Sequence, residues 1–123
     1  MLRLITVLAL CVALLSGCAT TQNIISQVTP AETPLAQVLK QRPDLRKELA
    51  TVEIRQYFNR VEAPTAAEVK ITETGLMDDS VRSIRSIYHF FNINGQWQQG
   101  DVQTDYLCAR GKNTKNFQTA KCA

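Results

Sequence analysis

Asn94-Gly95 sits between two long runs of β-forming residues, and no other feature limits the architecture as much. Both residues tolerate positive φ, so the pair closes a two-residue hairpin and fixes its flanking strands as antiparallel neighbours. Val81 to Ile93 supplies the first strand, with Val81, Ile84, Ile87, Tyr88, Phe90, Phe91 and Ile93. Their mixed parity calls for a bulge or for burial on both faces. Residues 97–109 form the partner strand, where Val102, Tyr106 and Cys108 share a parity and Gly100 is a candidate bulge. Upstream, Val69-Lys70-Ile71-Thr72-Glu73 alternates, with Val69 and Ile71 inward, and residues 75–80 make the turn that follows.

The preceding segment has a different period. Thr33-Pro34 combines an N-cap with proline at the first helical position, and Leu35, Val38 and Leu39 fall on one helical face. Pro43 ends this helix, and Asp44 is placed to cap a second one. Leu45, Leu49 and Val52 continue a helical stripe, overlapped by Ala50, Ile54, Tyr57, Phe58 and Val61. Residues 51–58 also fit a strand, since Val52, Ile54 and Phe58 share a parity. The helical reading is favoured here. The expected fold is α+β, with N-terminal helices followed by an antiparallel meander of three to four strands. That order resembles the cystatin-like and NTF2-like folds, a likeness of architecture that assigns no function.

At the N-terminus, Arg3 precedes an apolar run from Leu4 to Leu15, followed by the small residues Ser16 and Gly17. The run matches the h-region of a signal peptide and is shorter than the ~20 residues that span a bilayer. Leu15-Ser16-Gly17-Cys18 resembles the lipobox of bacterial lipoproteins. The resemblance implies cleavage before Cys18, diacylation of its sulfur, palmitate among the acyl chains and anchoring in a membrane. Two or more acyl chains anchor stably, each buried CH₂ contributing about 0.8 kcal/mol. Ala19 follows the cysteine, which resembles sorting to the outer membrane with the protein facing the periplasm. The expected organisation is a signal peptide over 1–17, a polar tether over 18–33, and a single domain over 34–123. A chain of 123 residues has no room for two independent cores.

Of four cysteines, Cys11 would be discarded and Cys18 lipidated, which leaves Cys108 and Cys122. In an oxidising compartment these two pair by default, and the alternative is a free thiol.

No assembled catalytic set, metal site or cofactor motif is expected. The chain has one histidine, His89, among Tyr88, Phe90 and Phe91, where a half-buried sheet position suits it best. Asp78-Asp79-Ser80 is the most acidic point and reads as a polar turn, with an acid–base pair as the alternative. Ser80, Ser83 and Ser86 recur with period three but lack a G-x-S-x-G elbow, so they are expected to point outward from a strand edge. The net charge of +3 is too small to argue for nucleic acid. The tail carries Arg110, Lys112, Lys115 and Lys121 and could meet anionic lipid or an acidic partner. Trp97 is expected in the core, with an exposed anchor as the alternative. The candidate binding surface is therefore Asp78, Asp79, Arg82, Arg85, Trp97 and Arg110.

Glu73-Thr74-Gly75, Asp78-Asp79-Ser80-Val81, Arg85, Gly95-Gln96-Trp97, Cys108-Ala109-Arg110-Gly111, Phe117 and Cys122 together resemble a group of small bacterial envelope lipoproteins with no assigned activity. The expected role is a non-enzymatic module, tethered to the membrane, that binds an envelope protein or anionic lipid. The alternatives are a small-ligand or inhibitor module and a hydrolase using Asp78 and Asp79.

Overall fold

Four strands run in chain order across one antiparallel sheet: β1 (Thr51–Phe58), β2 (Ala66–Thr74), β3 (Val81–Ile93) and β4 (Gln96–Cys108). The computed structural model describes residues 31–123. The expected signal peptide (1–17), the expected lipidation site Cys18 and nearly all of the expected tether lie outside the described residues. Among the described residues a single helix, α1 (Pro34–Gln41), precedes the sheet and is followed by one 3-10 turn, Pro43–Arg46. The α+β description holds, with the helical content far smaller than expected.

α1 starts where the sequence places it. The Thr33 Oγ1 accepts a hydrogen bond from the Ala36 amide at 3.2 Å, and Pro34 opens the first turn. Pro43 cannot continue the helix, which ends at Gln41. The second helix does not form. Asp44 stands in the 3-10 turn and receives the Arg42 guanidinium instead of capping a helix. Residues 51–58 are strand β1 and not helix, paired with β2 along its whole length from Thr51↔Thr74 to Phe58↔Ala67. The β-branched and aromatic residues Thr51, Val52, Ile54, Tyr57 and Phe58 suit that pairing, and the partner strand follows after a seven-residue connection, 59–65.

Asn94 and Gly95 both take positive φ, 53° and 80°, so the β3–β4 loop has the backbone of a type I′ hairpin. Both expected irregularities are present. Arg82 is an extra residue on β3 between the pairs Val81↔Cys108 and Ser83↔Leu107. Gly100 and Asp101 oppose His89 alone, a bulge on β4. A Cβ on Gly100 would lie 3.0 Å from the Phe91 ring, so glycine lets that ring lie against the bulge.

The register assigns side chains to two faces, because directly opposed residues share a face. α1 covers the face bearing Ala67, Val69 and Ile71 of β2 and Tyr88 and Phe90 of β3. These residues and Val38 of α1 make the core, with Leu35, Leu45, Val52 and Trp97 packed around them. Phe90, Ile71, Val69 and Val38 have no exposed surface. The core is small, so truncating Phe90 to alanine would remove about 3–5 kcal/mol, a large part of a small domain's stability. Ser83 and Ser86 do not point outward as expected. Both are buried, and Ser83 Oγ shares a 2.7 Å hydrogen bond with Thr74 Oγ1.

Cys108 and Cys122 are joined by a disulfide, with Cα atoms 5.5 Å apart. The segment it closes returns along β4, where Gln118 pairs with Tyr106 and Phe117 packs beneath Arg85.

Candidate functional site

Among the described residues no helix covers the second face of the sheet. Its side chains follow from the register: Glu53↔Thr72↔Arg85↔Asp105 in one row and Arg55↔Lys70↔Ile87↔Gln103 in the next. Tyr57, Glu68 and His89 make a third row. Alternation on β1 and β2 puts charged and hydroxyl groups here because the apolar positions face α1.

Within this face lies an open groove of about 250 Å³ lined by Glu53, Arg55, Tyr57, Lys70, Thr72, Arg85 and Phe117. Three cations and one carboxylate border it. Arg55 and Lys70 stand directly opposite each other on neighbouring strands, a like-charge pairing that costs stability unless acids relieve it. The relief is partial. Glu53 pairs with Arg55, and Glu68 reaches Lys70 at 3.6 Å. Lys70 Nζ also lies 5.3 Å from the centre of the Tyr57 ring.

Arg85 is the most tightly held of the three. Its Nη2 donates to Asp105 Oδ2 at 2.7 Å, and its guanidinium stacks 4.1 Å from the centre of the Phe117 ring. Asp105 is only 3% exposed and also accepts from Gln103 Nε2 at 2.9 Å. The Arg85 guanidinium holds the Asp105 carboxyl below the usual carboxylate range, with Gln103 adding to it. Arg85 Nε is sealed from solvent and has no hydrogen-bond partner among the described residues.

The expected binding residues are spread over the molecule. Arg85 alone lines the groove. Asp78 is part of a turn, accepting from the Ser80 amide at 2.9 Å and the Ser80 hydroxyl at 2.7 Å. Those bonds hold its carboxyl below its ordinary value. Asp79 is exposed beside it, Arg82 projects from the β3 bulge, and Arg110 is exposed within the loop closed by the disulfide. Trp97 lies on the helix-covered face, half-buried against Phe58 and not enclosed in the core. His89 is half-buried on the open face, 3.8 Å from Glu68 Oε2.

Sequence reasoning missed a second polar cluster. Asp44, Glu48 and Glu73 bring carboxylate oxygens within 4.8 Å of one another. Arg42 serves two of the three, donating to Asp44 at 2.7 Å and to Glu73 at 3.0 Å. Glu48 Oε2 is shielded from solvent and has no hydrogen-bond partner among the described residues. The proximity of Glu73, with burial, pushes the Glu48 carboxyl up to about 7. Asp44 is held down chiefly by Arg42, whose own pKa is raised by the same bond. The alternation of β2 puts Glu73 on the apolar face, and that misplaced charge was the one signal available in the sequence.

Compared with known protein families, curated proteins and solved structures, the chain matches none of them.

Proposed function

We propose that this chain is a non-enzymatic, lipid-anchored module of the bacterial cell envelope, held at the outer membrane through Cys18 and facing the periplasm. Its task is to hold another envelope component against the open face of its sheet. The observation that carries this reading is the difference between the two faces of the sheet. One face buries apolar residues under α1, and the other presents Arg55, Lys70 and Arg85 around a groove with Tyr57 and Phe117 at its sides. A disulfide between Cys108 and Cys122 fits an oxidising compartment. The lipobox resemblance at Leu15-Ser16-Gly17-Cys18 supplies the anchor.

The reading of a small-ligand module is weaker. The two grooves on the sheet, about 270 and 250 Å³, are open and smaller than the ~300–1,000 Å³ typical of such sites.

A photo-crosslinking residue at Thr72, in the groove, tests the role in intact cells. One at Lys40, on the outer side of α1, is the control. The expected result is a discrete envelope adduct from Thr72 alone, together with acylated Cys18 by mass spectrometry. Equal labelling from both positions, or an unmodified Cys18, would overturn the reading.

A further inference from the structure

The outer edge of β1 has the geometry to pair with itself. Among the described residues nothing pairs with that edge, since β1 is the first strand of the sheet order. Its register with β2 is unbroken, with no bulge or proline to spoil it. The opposite edge is less suitable, because β4 is bulged at Gly100-Asp101 and paired with Gln118 near its end.

The Asn59 amide donates to the Ala66 carbonyl at 3.1 Å, which sets the phase of the ladder. Along β1 the odd-numbered residues therefore bond to β2. The even-numbered residues, Val52, Ile54, Gln56 and Phe58, turn their amides and carbonyls outward. Ile54 lies near the middle of this outward set and is 37% exposed. Glu53 and Arg55 flank it on the opposite face, and both side chains are more than half exposed.

We propose that β1 pairs antiparallel with β1 of a second copy about a twofold axis at Ile54, joining the two sheets. In that register Ile54 exchanges both main-chain hydrogen bonds with its own copy, and the two exposed isoleucine side chains cover each other. Glu53 of each chain falls opposite Arg55 of the other, so the charges are complementary in both directions. Val52 falls opposite Gln56, again an outward-bonding pair. This pairing stands whether or not the open face holds a partner, and tethering to a membrane favours it by raising the effective concentration.

The test uses the lipidated full chain in detergent, followed by sedimentation. Wild type is expected to be a dimer. Glu53→Arg and Arg55→Glu each set like charges opposite each other, and each should weaken self-association by at least about tenfold. Mixed in equal amounts, the two variants should form a heterodimer, because every charge then meets its opposite. A defect in folding would not be repaired by mixing, and thermal melting of each variant checks it directly. Ile54→Cys should cross-link to its own copy with a short thiol reagent, the paired Cα atoms being ~5.5 Å apart. Val52→Cys should not, because its copies lie about 13 Å apart along the strand. A monomeric wild type, a mixture that stays monomeric, or cross-linking of Val52→Cys in place of Ile54→Cys would each overturn the proposal. A monomer whose β1 amides resist hydrogen exchange would assign the edge to another segment and overturn it equally.

Discussion

The rings of Phe58 and Trp97, from the two edge strands of the sheet, meet with centroids 5.6 Å apart and planes inclined at 53°. Phe58 pairs with Ala67, whose small side chain leaves room for the indole to reach across the intervening strands. Trp97 is fixed from the other side by α1, since its carbonyl accepts from Gln37 Nε2 at 2.9 Å. The contact therefore ties both edges of the sheet and the helix at one corner. Phe58→Ala and Trp97→Ala should each destabilise the domain by about 1–3 kcal/mol, with a coupling of about 0.5–1.5 kcal/mol in a double-mutant cycle. Urea unfolding of the four proteins measures it, and strictly additive losses would mean that the rings only share a neighbourhood.

Glu48 makes stability fall as pH rises. Its carboxyl is raised from 4.5 to about 7 in the folded chain. Below the unfolded value both states are protonated and the group has no effect. Between 4.5 and about 7 the unfolded chain ionises while the folded chain retains the proton, so stability declines and then levels off. Glu48→Gln should remove that decline and leave the protein more stable at neutral pH. Melting temperatures across this range decide the matter, and parallel profiles for the two proteins would show that Glu48 titrates normally.

Asp105 acts in the opposite direction and in a lower window. Its carboxyl lies below the ordinary 3.8 because Arg85 holds it ionised, so its stabilisation is present above that value and is lost as acid protonates the folded form. Arg85→Met leaves this buried carboxylate without its cation and should cost about 3 kcal/mol at neutral pH. The loss should shrink in strong acid, where wild type forfeits the same pair. A constant difference from neutral pH to acid would assign the effect to packing on Phe117 alone.

The disulfide closes a segment with a sequence separation of 14. Such a loop contributes about 3 kcal/mol in the chain-entropy account. Cys122→Ser should therefore lower stability by about 2–4 kcal/mol, and reduction of wild type should do the same. Melting with and without reductant provides the comparison; identical curves for fully reduced and oxidised protein would show that Tyr106–Gln118 pairing holds the tail without the bond.

The elements legible in the sequence are those set by near neighbours. The Thr33-Pro34 start and Pro43 stop bound α1, Asn94-Gly95 closes the β3–β4 hairpin, and Val69 and Ile71 point inward, because caps, turns and strand parity act within a few residues. The position of Gly100 likewise announced the β4 bulge, and the mixed parity of β3 reflects burial on both faces, where adjacent Ile87 and Tyr88 are both buried. Residues 51–58 fitted both a helical stripe and an alternating strand. Only pairing with β2 decided for the strand, through inter-strand hydrogen bonds that the periodicity of 51–58 by itself does not encode. The same holds for the sites. Arg85 could be singled out as a surface cation, but Asp105, Phe117, Arg55 and Lys70 join it only through the register of neighbouring strands. Glu48 and Glu73 come together because the chain folds back over the end of β2, and the proximity of Glu73, with burial, raises the Glu48 carboxyl to about 7. Sequence determined the turns and the inward face of β2; tertiary structure alone decided β1 and which charges had to share a space.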